Sequence, residues 1–130
     1  MVEDDLDIQT VARLALEAVG GFTIEMCCGG REALQKISAF APDLVLLDVM
    51  MPDMDGPTVL QHLRANAATG AVPIVFMTAK AQPPEVAAYL EMGALAVIAK
   101  PFDPMTLSTV LSEIWTQNLH GRDVVSQGKN

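Results

Sequence analysis

The chain has 130 residues, 51% of them hydrophobic, enough for one domain with a buried core and too few for two ordinary domains. Eight Lys and Arg against sixteen Asp and Glu give a net charge of −8, and the basic residues are spread along the chain, so we expect no direct binding of nucleic acid or anionic lipid. No apolar run approaches the roughly 20 residues of a membrane helix, and the acidic start is unlike a secretory signal, which predicts a cytoplasmic protein.

The first third of the chain predicts a helix, a strand and a second helix. After the acidic start MVEDDLD, apolar residues recur at helical spacing through residues 7–19, and Gly20 and Gly21 end that helix. Residues 22–27 alternate in polarity, which predicts a half-exposed strand. The second helix is predicted to begin after the next pair of glycines and to end near Pro42.

The rest of the chain continues the same alternation of strands and helices. We predict a buried strand over 44–47, a helix from Pro57, a buried strand over 73–77, a helix from Pro83 to Leu90, a strand over 95–98 and a helix after Asp103. This order favours an α/β fold, a doubly wound five-stranded parallel sheet with helices on both faces. Residues 1–116 form the predicted domain, and the polar residues 117–130 are expected to form a loose tail.

Polar residues stand where the predicted strands end. Because the carboxyl ends of parallel strands share one edge of a sheet, residues far apart in sequence should meet there. The set comprises Glu3, Asp4, Asp48, Thr78 and Lys100. The sequence therefore predicts a site with three carboxylates, one hydroxyl and one ammonium.

The charges of this set predict a divalent cation. Three adjacent carboxylates would raise one another's pKa, whereas Lys100 and a divalent ion together bring the site close to neutral. Oxygen ligands select a hard cation such as Mg²⁺, and the isolated His62 and His120 disfavour zinc. A metal beside an ammonium and a hydroxyl suits phosphoryl transfer, with Asp48 as the candidate nucleophile.

These residues resemble the receiver domains of two-component response regulators over Val2 to about Ile114. The motifs that carry the resemblance are VEDD, LVLLDVMMPDMDG, VFMTA and AKPF, in this order. The resemblance implies a flavodoxin-like sheet with strand order 2-1-3-4-5. It also implies Glu3 and Asp4 as magnesium ligands, Asp48 as the phosphorylated residue and third carboxylate ligand, the Met50 carbonyl as a further ligand, and a cis Lys100-Pro101 bond.

The function implied by the resemblance is a phosphorylation switch rather than an enzyme. Asp48 would accept a phosphoryl group from a phosphohistidine on a sensor histidine kinase or phosphotransfer protein, which docks at the first helix. Thr78 would then move toward the phosphoryl group. The output face would be the fourth helix, fifth strand and fifth helix, roughly residues 84–115, which would bind a downstream effector and could also support a homodimer.

Three features depart from the family pattern. Val97 occupies a switch position that is aromatic in many members, three residues before the lysine, so we expect a muted or differently routed switch. Lys80, two residues after Thr78, could approach the phosphoryl group and alter its hydrolysis. Only Met1 and Val2 precede the acids, which predicts a shortened or missing first strand, lower stability and strand exchange with another chain.

Two other functions remain open at the level of sequence. One is an aspartyl-nucleophile phosphatase, which is disfavoured because such enzymes resemble DxDxT and Met50 stands at the second aspartate. The other is a receiver-like interaction module that is never phosphorylated. The residues after Trp115 cannot bury a further core, so the chain could be a stand-alone receiver or a piece of a longer regulator or hybrid kinase.

Overall fold

A computed structural model describes the backbone of residues 1–129 and the side chains of residues 1–119. The strands are β1 (Val45–Asp48), β2 (Ile74–Thr78) and β3 (Ala96–Ala99). The helices are α1 (Leu6–Arg13), which continues as a π-helix over Leu14–Val19, α2 (Gly30–Phe40), α3 (Gly56–Ala65), α4 (Pro83–Met92) and α5 (Leu107–Lys129). None of the described helices is both long and apolar enough to cross a membrane.

The three strands form a parallel sheet in the order β1-β2-β3. Asp48 pairs with Met77, and Thr78 pairs with Ala99, so the carboxyl ends of the strands lie side by side. Val2 forms single parallel bridges with Cys27 and with Leu47, so the chain start lies between β1 and the segment around Cys27. In the described residues, two single bridges at Val2 stand where the first strand was predicted.

The predicted strand over residues 22–27 is wrong in extent, since only Cys27 bridges to a neighbour. Met1–Glu3 offers this segment three backbone bonds: the Met1 ammonium donates to the Glu25 carbonyl, the Cys27 N–H to Met1, and the Glu3 N–H to Cys27. Upstream of Glu25 no residue of the described chain lies alongside to continue the ladder, so three strands and two bridges stand where five strands were predicted.

Helices cover both faces of the sheet, as the alternation of elements predicts. β1 and β2 are buried along their whole length. Because successive residues of a strand point to opposite faces of the sheet, this burial means that both faces are covered. On the face of α2 and α3 the core includes Leu47, Phe76, Val59 and Leu63. On the face of α1 and α5 it includes Leu46, Met77, Leu16 and Leu111.

The last helix begins later and runs further than the sequence predicts. Residues 104–106 form a turn in which Asp103 accepts from the N–H of Met105, and the helix begins at Leu107. Its backbone continues to Lys129, through residues that were predicted to form a loose tail. The side chains of residues 120–130 lie outside the described part of the chain.

A cavity of about 390 Å³ opens where the chain begins beside the sheet. Its walls come from residues 1–2, residues 22–27, α2, the start of β1 and α5, and include Val2, Ile24, Ile37, Phe40, Leu44 and Trp115. Burial lowers the pKa of the Met1 amino group, which donates to the Glu25 carbonyl at 2.8 Å. The cavity thus has mostly apolar walls and a partly buried ammonium at its edge.

Candidate functional site

Parallel strand ends bring the predicted site residues together. Asp48 is the last residue of β1, Thr78 is the last residue of β2, and Lys100 directly follows β3. Val2 bridges to Leu47, so Glu3 lies at the same edge. The backbone N–H of Lys100 also donates to the carbonyl of Thr78 at 2.8 Å, which holds two of the site residues in register.

Lys100 lies at the centre of the charged cluster. Its ammonium is 2.7 Å from Glu3 Oε1 and 3.0 Å from Asp48 Oδ1. Burial opposes the charge on this lysine, but the ion pairs with Glu3 and Asp48 outweigh burial and raise the pKa of Lys100 above its ordinary value. The ammonium therefore stays charged and holds two carboxylates together.

Glu3 is fully buried, and its environment disfavours ionisation. Burial raises the pKa of Glu3 above its ordinary value, and the nearby Asp48 adds to this effect, while the ammonium of Lys100 partly offsets it. The Asp5 N–H donates to Glu3 Oε2 at 3.3 Å, whereas Oε1 is buried and faces Lys100. The carboxylate is thus held in place, and its oxygens can still bind a cation.

The donor set fits a magnesium ion. Oxygens of Glu3, Asp4 and Asp48 lie within 4.8 Å of one another, the one such acidic group among the side chains that the structure describes. Three carboxylates and the ammonium of Lys100 sum to a formal charge of −2, which a divalent ion would balance. The ligands are all oxygens, with neither a thiol nor an imidazole among them, and this favours a hard cation.

The loop after β1 is closed at its base. Asp48 Oδ1 accepts from the Met50 N–H at 3.4 Å, so the peptide of Met50 lies beside the carboxylate. The Gly56 N–H donates to the Val49 carbonyl at 2.8 Å. A Cβ atom on Gly56 would lie 2.8 Å from the Asp48 carbonyl oxygen, so only glycine allows this close approach.

Thr78 and Val97 are buried to different degrees. The Thr78 hydroxyl accepts from the backbone N–H of Lys80 at 3.0 Å, while the side chain of Lys80 is exposed. Val97 is half-buried, pairs with Phe76 and packs against the core on the α2 and α3 face. Asp5 lies outside the cluster and caps α1, as its place after the two metal-ligand candidates predicts.

The structure also gives Asp53 a contact that the sequence did not reveal. Asp55 caps α3 by accepting from the Thr58 N–H at 2.8 Å. Asp53 instead accepts from the N–H groups of Gly30 and Arg31, at 3.3 Å and 3.1 Å, and so caps α2. The one sequence signal was Gly29, which stands at the N-cap of α2 with no side chain to cap it.

Relatives of this chain are response regulators. The family model of the response regulator receiver domain matches residues 1–112. Response regulator Rre1 of Synechocystis sp. is 29% identical over 127 residues, which are 98% of this chain and 55% of that protein. The DNA-binding response regulator MtrA of Mycolicibacterium paratuberculosis is 39% identical over 107 residues, 82% of this chain and 46% of that protein. The chain spans about half the length of the curated relatives it matches.

Solved structures agree with the sequence comparison. Chemotaxis protein CheY4 of Vibrio cholerae superposes with a TM-score of 0.79 at 29% identity, covering 87% of this chain and 93% of that one. A signal receiver domain of a histidine kinase from Syntrophus aciditrophicus gives a TM-score of 0.76 at 30% identity, covering 89% of this chain and 87% of that one. The flavodoxin-like α/β fold with a parallel sheet is therefore established, with three strands described.

Proposed function

The chain belongs to the receiver domain family of two-component response regulators, and we propose that Asp48 is its phosphoacceptor. The observation that carries the proposal is the convergence of Asp48 with Lys100, Glu3 and Asp4 at one sheet edge. Asp48 is almost fully buried, so its carboxylate depends on these partners rather than on water. Such a cluster is suited to neutralising the charge that phosphoryl transfer develops.

Asp48 would act as the nucleophile. Its described contacts, to Lys100 and to the Met50 N–H, both go to Oδ1, so we assign the attack on phosphorus to Oδ2. The new O–P bond replaces the P–N bond of a phosphohistidine on a histidine kinase or phosphotransfer protein, and the imidazole leaves. Lys100 Nζ balances charge on the transferring group. Magnesium held by Glu3, Asp4, Asp48 and the Met50 carbonyl would neutralise further charge on the phosphoryl oxygens.

The output signal would begin at Thr78. Its hydroxyl accepts from the Lys80 N–H, so donating to a phosphoryl oxygen requires the hydroxyl to turn, and this weakens the contact with Lys80. Residues 79–82 then lose an attachment to β2 just ahead of α4. A hydrogen bond made only in the phosphorylated state biases two states of this loop. Since Val97 is not aromatic, we expect no ring to change places in this step.

Two exposed apolar areas support partner binding. On one side, Leu6 of α1 and Leu14 of the π-helix that continues it are exposed, which suits docking of the phosphodonor. On the other side, α4 buries none of its side chains fully and exposes Leu90 and Met92, which suits an effector or a second copy at the face over residues 84–115. We also propose that the protein acts in the cytoplasm and that a downstream effector binds the face over residues 84–115.

Labelling with acetyl phosphate and magnesium tests the proposal. We expect one acid-labile phosphate per wild-type chain and none in Asp48→Asn, which removes the nucleophilic oxygen with little change in shape. Asp43→Asn is the matched control, because Asp43 is an exposed aspartate near the opposite end of the same strand. Intact mass and acid lability report the product.

Two results would contradict the phosphoacceptor assignment. Absence of label in the wild type would favour an interaction module that is never phosphorylated. Sustained turnover of a chromogenic phosphoester would favour the aspartyl-nucleophile phosphatase instead.

A further inference from the structure

We propose that Asp53 is a positioning residue that ties the phosphoacceptor loop to α2 and thereby holds the site in its reactive geometry. The phosphoacceptor loop is defined here as residues 49–55, between β1 and α3. This inference rests on the proposed function of Asp48. It goes beyond it because Asp53 touches neither the phosphoryl group nor the metal ligands.

The first observation is an end-on contact between the loop and a helix far away in sequence. Asp53 Oδ1 lies 3.3 Å from the Gly30 N and Oδ2 lies 3.1 Å from the Arg31 N, so both carboxylate oxygens are used on one helix end. These N–H groups have no partner within α2, since the first turn of a helix leaves its donors free. Asp53 is exposed, and the bonds from the Arg31 and Gly30 N–H groups lower its pKa despite slight desolvation, which is consistent with a carboxylate that stays ionised.

The second observation is that the helix is shaped to receive this carboxylate. Gly29, the N-cap residue, has no side chain and adopts an extended backbone. A Cβ atom on Gly29 would lie 2.8 Å from both oxygens of Asp53. Any other residue at position 29 would therefore displace Asp53. Asp53 can cap α2 only because Gly29, at the N-cap position, has no side chain.

The third observation connects this contact to the site. The Cys27 carbonyl accepts from the Glu3 N–H at 3.0 Å, two residues before the N-cap of α2. Asp53 therefore joins the loop that carries Met50 to the segment that holds Glu3 in place. The base of the loop is fixed by Gly56 and Val49, and Asp53 fixes its far side. Without Asp53, the loop that carries Met50 would be attached at its base only.

The test separates loop positioning from simple capping of a helix. Asp53→Ala removes both functions. Asp53→Ala combined with Gly29→Asp restores a cap at the N-cap position, where the extended backbone accepts an aspartate, but leaves the loop untied. The readouts are the melting temperature, the initial rate of labelling by acetyl phosphate with magnesium, and amide hydrogen exchange of residues 49–55.

For Asp53→Ala we expect the melting temperature to fall by roughly 3 to 6 °C, as for the loss of one helix cap in a domain of this size. The labelling rate should fall about tenfold, the loss typical of removing a group that orients a ligand. Exchange of the loop amides should accelerate. The double variant should regain the melting temperature while its labelling stays slow and its loop amides stay fast.

Two outcomes overturn the proposal. One is wild-type labelling and exchange in Asp53→Ala, and the other is recovery of the labelling rate together with the melting temperature in the double variant, which would make Asp53 a helix cap only. If the wild type itself takes no label, the phosphoacceptor assignment fails. Hydrogen exchange in the same three proteins would still decide whether Asp53 orders the loop.

Discussion

Neighbouring acids in this chain have very different surroundings. Glu3 is fully buried beside Lys100, whereas Asp4 is exposed and Asp5 caps α1. Glu3, Asp4 and Asp5 lie between the β-bridge at Val2 and the helix that begins at Leu6, so their side chains point in different directions. One acidic run therefore supplies a buried ion-pair partner, a metal-ligand candidate and a helix cap.

Glu3 should lower the stability of the metal-free domain as the pH rises above the ordinary pKa of a glutamate. Burial raises the pKa of Glu3, so between the unfolded and folded values the folded chain keeps a proton that the unfolded chain has lost. The free energy of unfolding then falls through this window and levels off above the folded pKa. We expect Glu3→Gln to remove this contribution in urea unfolding measured with a chelator from acid to neutral pH.

The comparison needs a carboxylate that does not face Lys100. Asp43→Asn removes an exposed acid, so it should keep the pH profile of the wild type. If Glu3→Gln also keeps that profile, then Lys100 holds Glu3 ionised over the whole range and burial is the weaker effect.

The sequence was sufficient to predict that the residues at the strand ends lie together at one edge of the sheet. Asp48, Thr78 and Lys100 each follow a short apolar run, and parallel strands bring such positions together whatever their separation in sequence. Asp53 was not predictable in the same way. Sequence rules for helix caps look for a side chain next to the helix, and α2 takes its cap from a residue 23 positions away.

At the scale of the elements, continuous apolar runs were the most informative signal. β1 and β2 are buried on both faces, and their predicted positions agree with the structure to within one residue. The strand over residues 22–27 failed because its pattern describes the segment alone, while pairing depends on a neighbour that has only three residues alongside it. A strand forms only where a neighbouring strand supplies hydrogen-bond partners, and the local sequence pattern does not show whether such a neighbour is present.

The turn between β1 and α3 should not tolerate a side chain at Gly56. The Cβ atom in Gly56→Ala would meet the Asp48 carbonyl oxygen at 2.8 Å and the Val49 Cα at 3.0 Å, both backbone atoms that cannot rotate away. We expect a loss of about 1–3 kcal/mol in unfolding free energy, the usual cost of overpacking. Labelling of Asp48 should slow as well, because the clash moves its own backbone.

Gly70→Ala is the control for this substitution. Its Cβ atom would have its nearest neighbour at 3.2 Å, the Asn66 carbonyl oxygen, so a small adjustment suffices. Equal losses in the two variants would point to backbone flexibility rather than the clash at Asp48.

At the scale of the molecule, the sheet is supported unevenly. The carboxyl edge is held by ion pairs and by the Val2 bridges, whereas the opposite edge beside Met1 borders the cavity of about 390 Å³. Leu44 and Ile24 both line this cavity. The apolar side chains that line this cavity have no strand packed against them, so they lack the van der Waals contacts that would stabilise the domain.

An added strand should stabilise the domain. We expect four apolar residues, Val-Ile-Leu-Val, placed before Met1 to extend the ladder and fill the cavity. Burying two or more aliphatic side chains should add about 3 kcal/mol or more, roughly 10 °C in melting temperature. A Thr-Ser-Thr-Ser extension of equal length is the control. Equal melting temperatures for the two extensions would show that the cavity walls do not accept a strand.

The melting temperature of the domain should depend on whether the Met1 amino group is free or acylated. A formyl or acetyl group on this nitrogen would remove the charge and keep the N–H that donates to Glu25. Burial lowers the pKa of the free amine, so at pH values below that lowered pKa the folded chain carries a partly buried charge that a blocked chain avoids. Two preparations of this chain that differ only in a formyl or acetyl group on this nitrogen would then melt at different temperatures.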